Sequence, residues 1–310
     1  MANYFSASGI VDRTAAPDLL NKAIDVMWMQ RNELAGVVLE RFFDSDTKDS
    51  GLSHVISSVT SSLPLPVENE DTEALPYFTP APGYDKTITL INYRSGIRVT
   101  DTMLRADRFA KIMGMVSGQM KSGARKSEYL RAGIFNGAMS GTAGADSLSL
   151  CHDSHPLENN EAGTRDNKGT GALSAPNLHA LRLLCRKDVD AQGDPDWSVP
   201  TTLLIPEDLE QTALELSGSD GKPNTALNDP NVLIKGLEVV VSPYLSSALL
   251  YFLINDRTGP ERGLHEVYLE NWNLADTRNA TADVPIDKRI KAIMAIDYTV
   301  TRSVYGSTGA

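Results

Sequence analysis

The chain has 310 residues, 41% hydrophobic and 22% charged, with a formal net charge of −11. That is enough apolar material for a real core, in one large domain or two ordinary ones, and it argues against disorder of the bulk. The acidic balance argues against a protein that grips nucleic acid, which needs a basic surface. It suits a subunit that must stay dispersed before assembly, or a container wall that repels DNA.

Residues 1–16 read as a flexible lead-in, and Met1 to Ser8 shows no basic stretch ahead of an apolar one, so no signal peptide is expected. Pro17 and Asp18 open a helical pattern in which Leu20, Ile24, Met27, Leu34, Val38 and Phe42 share one face, ending near Asp44. Residues 45–103 are dense in Ser, Thr, Asp and Pro, with Pro64, Pro66, Pro76, Pro80 and Pro82 blocking a continuous helix. Two short strands are expected there, Thr87–Ile91 and Gly96–Thr100, joined by a turn over Asn92–Gly96. So long an excursion with so little core needs a partner surface, and the isolated subunit is expected to be only marginally ordered in it.

Leu104, Phe109, Ile112, Val116 and Met120 form one stripe of a long helix running to about Met139, resumed by Leu130 and Ile134. Gly114, Gly118 and Gly123 sit within it, as plain helix weakness or as places where another chain approaches closely. A Gly, Ser, Asn and Asp-rich loop covers 137–176, and Ser174 and Pro176 then start a helix to about Lys187 that buries Leu178, Leu181, Leu184 and Cys185. After a turn over Asp190–Pro195 come a strand at Thr201–Ile205, a helix at Glu207–Leu216 closed by Gly218, and strands at Gly236–Val241, Ala248–Ile254 and Leu264–Leu269. The longest apolar stretches, such as Ala248–Ile254, are strand-sized, and no stretch reaches the ~18 residues of a spanning helix. The C-terminal segment has the cleanest period. Ile290, Ala292, Met294, Ile296, Tyr298, Val300 and Val304 alternate with Arg289, Lys291, Asp297, Thr299, Thr301 and Ser303, a long strand with one face on a core and one wet. The long helix from Leu104 is the expected cover of the apolar face.

Motifs that carry chemistry are missing. Cys151, His152 and His155, with His179 and Cys185 further on, lack the spaced doublets of a zinc site and read as a hydrogen-bonded loop with two reduced thiols. No nucleophile elbow, phosphate loop or dinucleotide fingerprint occurs, and Gly141–Gly144 lacks the lysine a phosphate loop needs. No catalytic, cofactor or metal residue is therefore expected. The basic cluster Lys121, Arg125 and Lys126 reads as a solvated helix face, with Glu128 close by. With Lys86, Arg94 and Arg98 it makes up the candidate set of subunit-contacting residues.

Val199–Leu216, a strand ending in Pro206 and leading into a helix, resembles a passage of tailed-bacteriophage major capsid proteins. The succession Asn228–Val232, Gly236–Leu245 and Leu250–Ile254 is similar to the group that includes the major head subunit of Mu-like prophages, as are His155-Pro156 and the helix start Leu173–Leu178. The resemblance implies an α+β chain with the Hong-Kong-ninety-seven-type capsid fold. Its parts would be an N-terminal arm at 1–50, an extended β-hairpin loop at 51–103, a peripheral domain with spine helix and long strand at 104–150 and 285–310, and an axial domain at 151–284. It implies a non-enzymatic subunit of an icosahedral head, made in the bacterial cytoplasm and self-associating as hexamers and pentamers. Double-stranded DNA would be enclosed without sequence-specific binding, with no membrane involved, and scaffolding, portal and decoration proteins would be partners. A long, highly charged N-terminal coiled coil of the scaffolding type is absent from this sequence, so scaffolding is expected from a separate protein or from a segment not included in the chain. Two other readings stay open: an encapsulin-like compartment shell, and an α/β enzyme using Cys151, His152 and His155.

Overall fold

A computed structural model describes residues 22–26, 37–59, 82–100, 102–103, 106, 109–141, 143–157, 163–190, 193–218, 236–257, 262–276, 286–299 and 302–309. Thirteen strands and three α-helices with both ends described are defined among them, and residues 22–26 are helical as well: β1 Asp44–Thr47, β2 Ser53–Val59, β3 Pro82–Thr89, β4 Ile91–Val99, α1 Phe109–Asn136, β5 His155–Pro156, β6 Thr164–Arg165, β7 Lys168–Gly169, α2 Ala175–Arg186, β8 Pro200–Ile205, α3 Glu210–Gly218, β9 Glu238–Val241, β10 Tyr251–Asn255, β11 Leu264–Asp276, β12 Ile286–Tyr298 and β13 Val304–Ser307. The expected residues Leu20, Met27 and Leu34, Leu104, and Pro64 to Pro80 lie outside the described set.

Two sheets organise the chain. One has the order β1-β11-β12-β4, the other β7-β13-β10-β8-β9, and β2 with β3 forms a separate two-stranded hairpin. The alternation in the C-terminal segment is realised in β12. Ile290, Ala292 and Met294 are fully buried on the side facing α1, where the Ser127 hydroxyl reaches Met294 Sδ at 3.8 Å. On α1, Ile112, Val116 and Met120 are buried as expected and pack with Val99 and Ile24, whereas Leu130 and Ile134 are only half-buried. Phe135 and Ala132 take over instead, entering a core shared by both sheets. The helix runs through its glycines without a break. Gly123 lies against the Trp272 ring, with a built Cβ 3.1 Å from it, while Gly114 and Gly118 face open space.

Several expectations change. Asn92–Gly96 is no turn: it is the middle of β4, paired residue by residue with β12 from Ile293 to Arg289. The partner of β3 is β2, with Ser53 opposite Thr89. Turn propensity at Asn92 and Gly96 yields because a nine-residue ladder with β12 pairs the backbone groups along one side of β4. The hairpin is less bare than expected, since Ile56, Ile88 and Leu90 pack on Val267 and Ala295 of the long sheet. Val38 to Phe42 does not continue a helix. The Val38 and Leu39 amides donate to the Glu128 carboxylate at 3.2 Å each, and only a 3-10 turn follows at Glu40–Phe42. The C-terminal strand ends at Tyr298, where Thr299 N–H donates to Gly263 O at 2.9 Å and the chain crosses to the other sheet to pair with β10 as β13. Thr299 is therefore buried, with its hydroxyl 3.3 Å from His265 Nε2, and is not on a wet face. The sheets also cut across the expected boundaries: β11, from the 151–284 stretch, joins β12 and β4, and β13, from the 285–310 stretch, joins β10.

Candidate assembly site

The charged side chains of greatest burial hold elements of one subunit together. Arg131 on α1 is 3% exposed and donates through Nη1 to Glu128 at 2.7 Å and through Nη2 to Glu266 on β11 at 2.8 Å. Burial alone would lower the Arg131 pKa, but the charge and hydrogen bonds of these carboxylates outweigh it, so the guanidinium stays charged. Tyr268 donates to Glu266, and burial together with that carboxylate pushes its own pKa well up. The second Glu128 oxygen accepts the Val38 and Leu39 amides, so one network ties the segment ahead of β1, the helix and β11. Sequence reading took Glu128 as the neighbour of a solvated basic cluster. The missed signal was its i,i+3 spacing from Arg131 on the same helix.

The candidate contact residues divide. Lys86 is occupied inside the subunit: its ammonium pairs with Asp297 at 2.7 Å, donates to Ala143 O and Tyr298 O at 3.0 Å each, and lies over the Tyr298 ring. Lys126 lies 5.3 Å from the Tyr93 ring and 5.0 Å from that of Tyr129. Lys121 and Arg125 are exposed on α1, whereas Arg94 and Arg98 project from the opposite side of the sheet. Arg98 is 64% exposed and reaches Asp287 at 3.4 Å. A cleft of about 850 Å³ opens between α1, β9 and β11, with Arg41 paired to Glu238 across it at 2.8 Å.

In the loop that carries Cys151, His152 and His155, the described side chains are engaged with one another. His155 Nδ1 meets Asp146 at 2.5 Å, a structural pair. Burial would raise the Asp146 pKa, but the hydrogen bond and charge of His155 hold it lower than usual. The Cys151 thiol, fully buried, is pushed up to about 12, and burial also raises that of Cys185. Both thiols are free, and no cluster of three metal-capable side chains occurs among the described residues.

A long helix is laid on a long-stranded sheet, a second sheet shares its core, and a hairpin packs on the long sheet. The Phage capsid protein family matches residues 83–306, and the chain belongs to that family. Membership makes it a structural protein of the virion and not an enzyme. Among solved structures, the fold is similar to the capsid of the cyanophage P-SCSP1u at 12% identity, covering 91% of this chain and 93% of that one, with a TM-score of 0.53. Microbacterium phage Oxtober96 gives 10% identity, 90% and 92% coverage and a TM-score of 0.52. The capsid of bacteriophage JBD30 decorated with minor capsid protein trimers gives 12% identity, 76% and 100% coverage and a TM-score of 0.53. The fold is the Hong-Kong-ninety-seven type. No curated protein matches.

Proposed function

We propose that this chain is the major capsid protein of a tailed bacteriophage of the Mu-like head-subunit group, closing as hexamers and pentamers into the icosahedral head. The observation that carries this reading is the family match over 83–306 on a fold whose buried charges fasten arm, helix and sheet to one another. The head encloses double-stranded DNA without reading its sequence, in keeping with a net charge of −11. Assembly takes place in the host cytoplasm, with scaffolding and portal proteins as partners. A decoration protein is a further partner by analogy with the JBD30 capsid, which is the decorated one. Within the subunit the arm is 1–50 and the extended loop 51–103. The peripheral unit is 104–150 with β11 and β12, and the axial unit is the rest of 151–284 with β13. Neighbouring copies meet through Arg94 and Arg98 on the sheet and Lys121, Arg125 and Lys126 on α1. Electron microscopy of particles from expressing cells tests the reading. Closed shells of genome-holding size are expected, whereas small enzyme-filled compartments or a persistent monomer would overturn it.

A further inference from the structure

We propose that Asn136-Gly137, at the C-terminal end of α1, is a deamidation site that the folded chain keeps closed and that local opening of the loop between β9 and β10 uncovers. It is the only asparagine followed by glycine in the sequence. Glycine carries no side chain to shield its backbone nitrogen, so in an unstructured chain such a pair converts readily. The Gly137 nitrogen loses its proton to base and attacks Asn136 Cγ. The bond from Cγ to the side-chain nitrogen breaks, ammonia leaves, and a cyclic imide remains. Water then opens the imide at either carbonyl, giving aspartate or isoaspartate. Water is the only co-reactant.

The fold opposes both the attack and the proton loss. The Asn136 carboxamide is fixed at both ends: Nδ2 donates to Tyr244 O at 3.0 Å, and Oδ1 accepts the Ser246 amide at 2.8 Å. Cγ turns toward the next nitrogen only when both bonds break. The Gly137 N–H itself donates to Gly133 O at 3.1 Å, and Gly137 O accepts the Gly141 amide at 2.6 Å. Yet this clamp lies at the surface. Asn136, Gly137 and Tyr244 are half-buried and Ser246 is exposed, whereas Phe135 beside them is fully buried. Hydrogen bonds near solvent open more often than the core behind them. The reactive state is therefore one in which residues 244–246 lift from α1 while Phe135 stays in place.

Conversion keeps the clamp open. In aspartate the nitrogen that donated to Tyr244 O is replaced by oxygen, so two acceptors face each other. The new carboxylate also stands at a helix C-terminus, where the helix dipole is already negative. Isoaspartate adds a carbon to the main chain and shifts Gly137 away from Gly133 O. A subunit that has opened here thus carries a permanent mark where α1 enters the core shared by both sheets.

Peptide mapping by mass spectrometry of the full chain, incubated at pH 8, tests this. Deamidation at Asn136 should be at least about tenfold slower in the folded subunit than in the same chain in denaturing urea, because it follows the population of the open form. Ser246→Pro, which removes the amide held by Oδ1, should raise the folded rate severalfold with an unchanged circular dichroism spectrum. A series of mild urea concentrations needs no variant: the rate should rise in step with hydrogen exchange of the Ser246 amide and ahead of that of Phe135. Asn136→Asp should speed exchange at Ser246 by about tenfold as the clamp is lost. Equal rates in folded and denatured chain would overturn the proposal, as would no conversion in denaturing urea. So would a folded rate that rises only with exchange at Phe135, since the site would then open only when the whole subunit unfolds.

Discussion

Arg131 shows how much a single side chain can hold in this protein. Its removal leaves Glu128 and Glu266, 2% and 1% exposed, buried without a cation. Breaking a buried pair from one side costs about 3–5 kcal/mol, much more than the pair contributes over an apolar replacement. Arg131→Met is therefore expected to lower the urea midpoint of the unassembled subunit sharply, while Arg131→Met combined with Glu128→Gln and Glu266→Gln recovers much of the loss. Asp146 gives a pH signature. Its pKa in the folded chain is depressed, so its contribution is present above the ordinary aspartate value of ~3.9 and is lost as pH falls below that value through the folded one. Melting curves from pH 6 down to pH 3 should show a steeper acid limb for the unaltered chain than for Asp146→Asn. The two thiols are a third case. Cys151 and Cys185 are buried and protonated, so neither should react with an alkylating reagent at pH 8 until the chain is unfolded.

At the scale of elements, the glycines of α1 separate two causes that sequence left open. Gly123 is small because Trp272 lies on it, whereas Gly114 and Gly118 face open space within the subunit. Alanine at either open position should stabilise the subunit by about 1 kcal/mol through helix propensity alone. If such a variant gains melting temperature yet stops forming shells, another chain occupies that space. Periodicity made α1, α2 and β12 legible, because each buries one face at a fixed spacing, and β8 was legible as a short apolar run buried on both faces. It failed where the decisive partner is distant in sequence. Asn92–Gly96 carries turn residues but is held extended by β12, some 195 residues later. Thr299 looked like the wet side of a strand, but it marks where the chain leaves the sheet, buried beside His265. Thr299→Val should therefore cost about 1–3 kcal/mol, the usual price of stranding buried hydrogen-bonding groups, where strand alternation alone would have it neutral. The proposed contact surface was legible in part. Arg94 and Arg98 stand out as charges on a strand, but the cationic face appears only when Arg289 and Lys291 are brought beside them.

At the scale of the whole molecule, the question is whether the two sheets behave as one body. The largest core draws on both: Leu204, Val240, Phe252, Ile254 and Val304 come from the five-stranded sheet, and Leu264 and Tyr298 from the four-stranded one. Phe135, fully buried at the end of α1, stands between them, 5.3 Å from the Phe252 ring and 6.2 Å from that of Phe43. A helix that packs on β12 along its length and ends inside the other sheet's core makes the stability of each sheet depend on the other. Phe135→Ala removes that link, and the cavity should cost about 3–5 kcal/mol, a large share of the ~5–15 kcal/mol that holds a typical domain. The loss should appear equally in both sheets. Hydrogen exchange of the unassembled subunit should show the amides of β10 and β12 losing protection together, with a single melting transition at a lower temperature. Leu181→Ala is the control, because Leu181 lies in the second core under α2, which contains no residue of the four-stranded sheet. It should weaken β10 and β13 more than β12. If Phe135→Ala opens β10 while β12 keeps its protection, the sheets are independent and the joint core does not couple them.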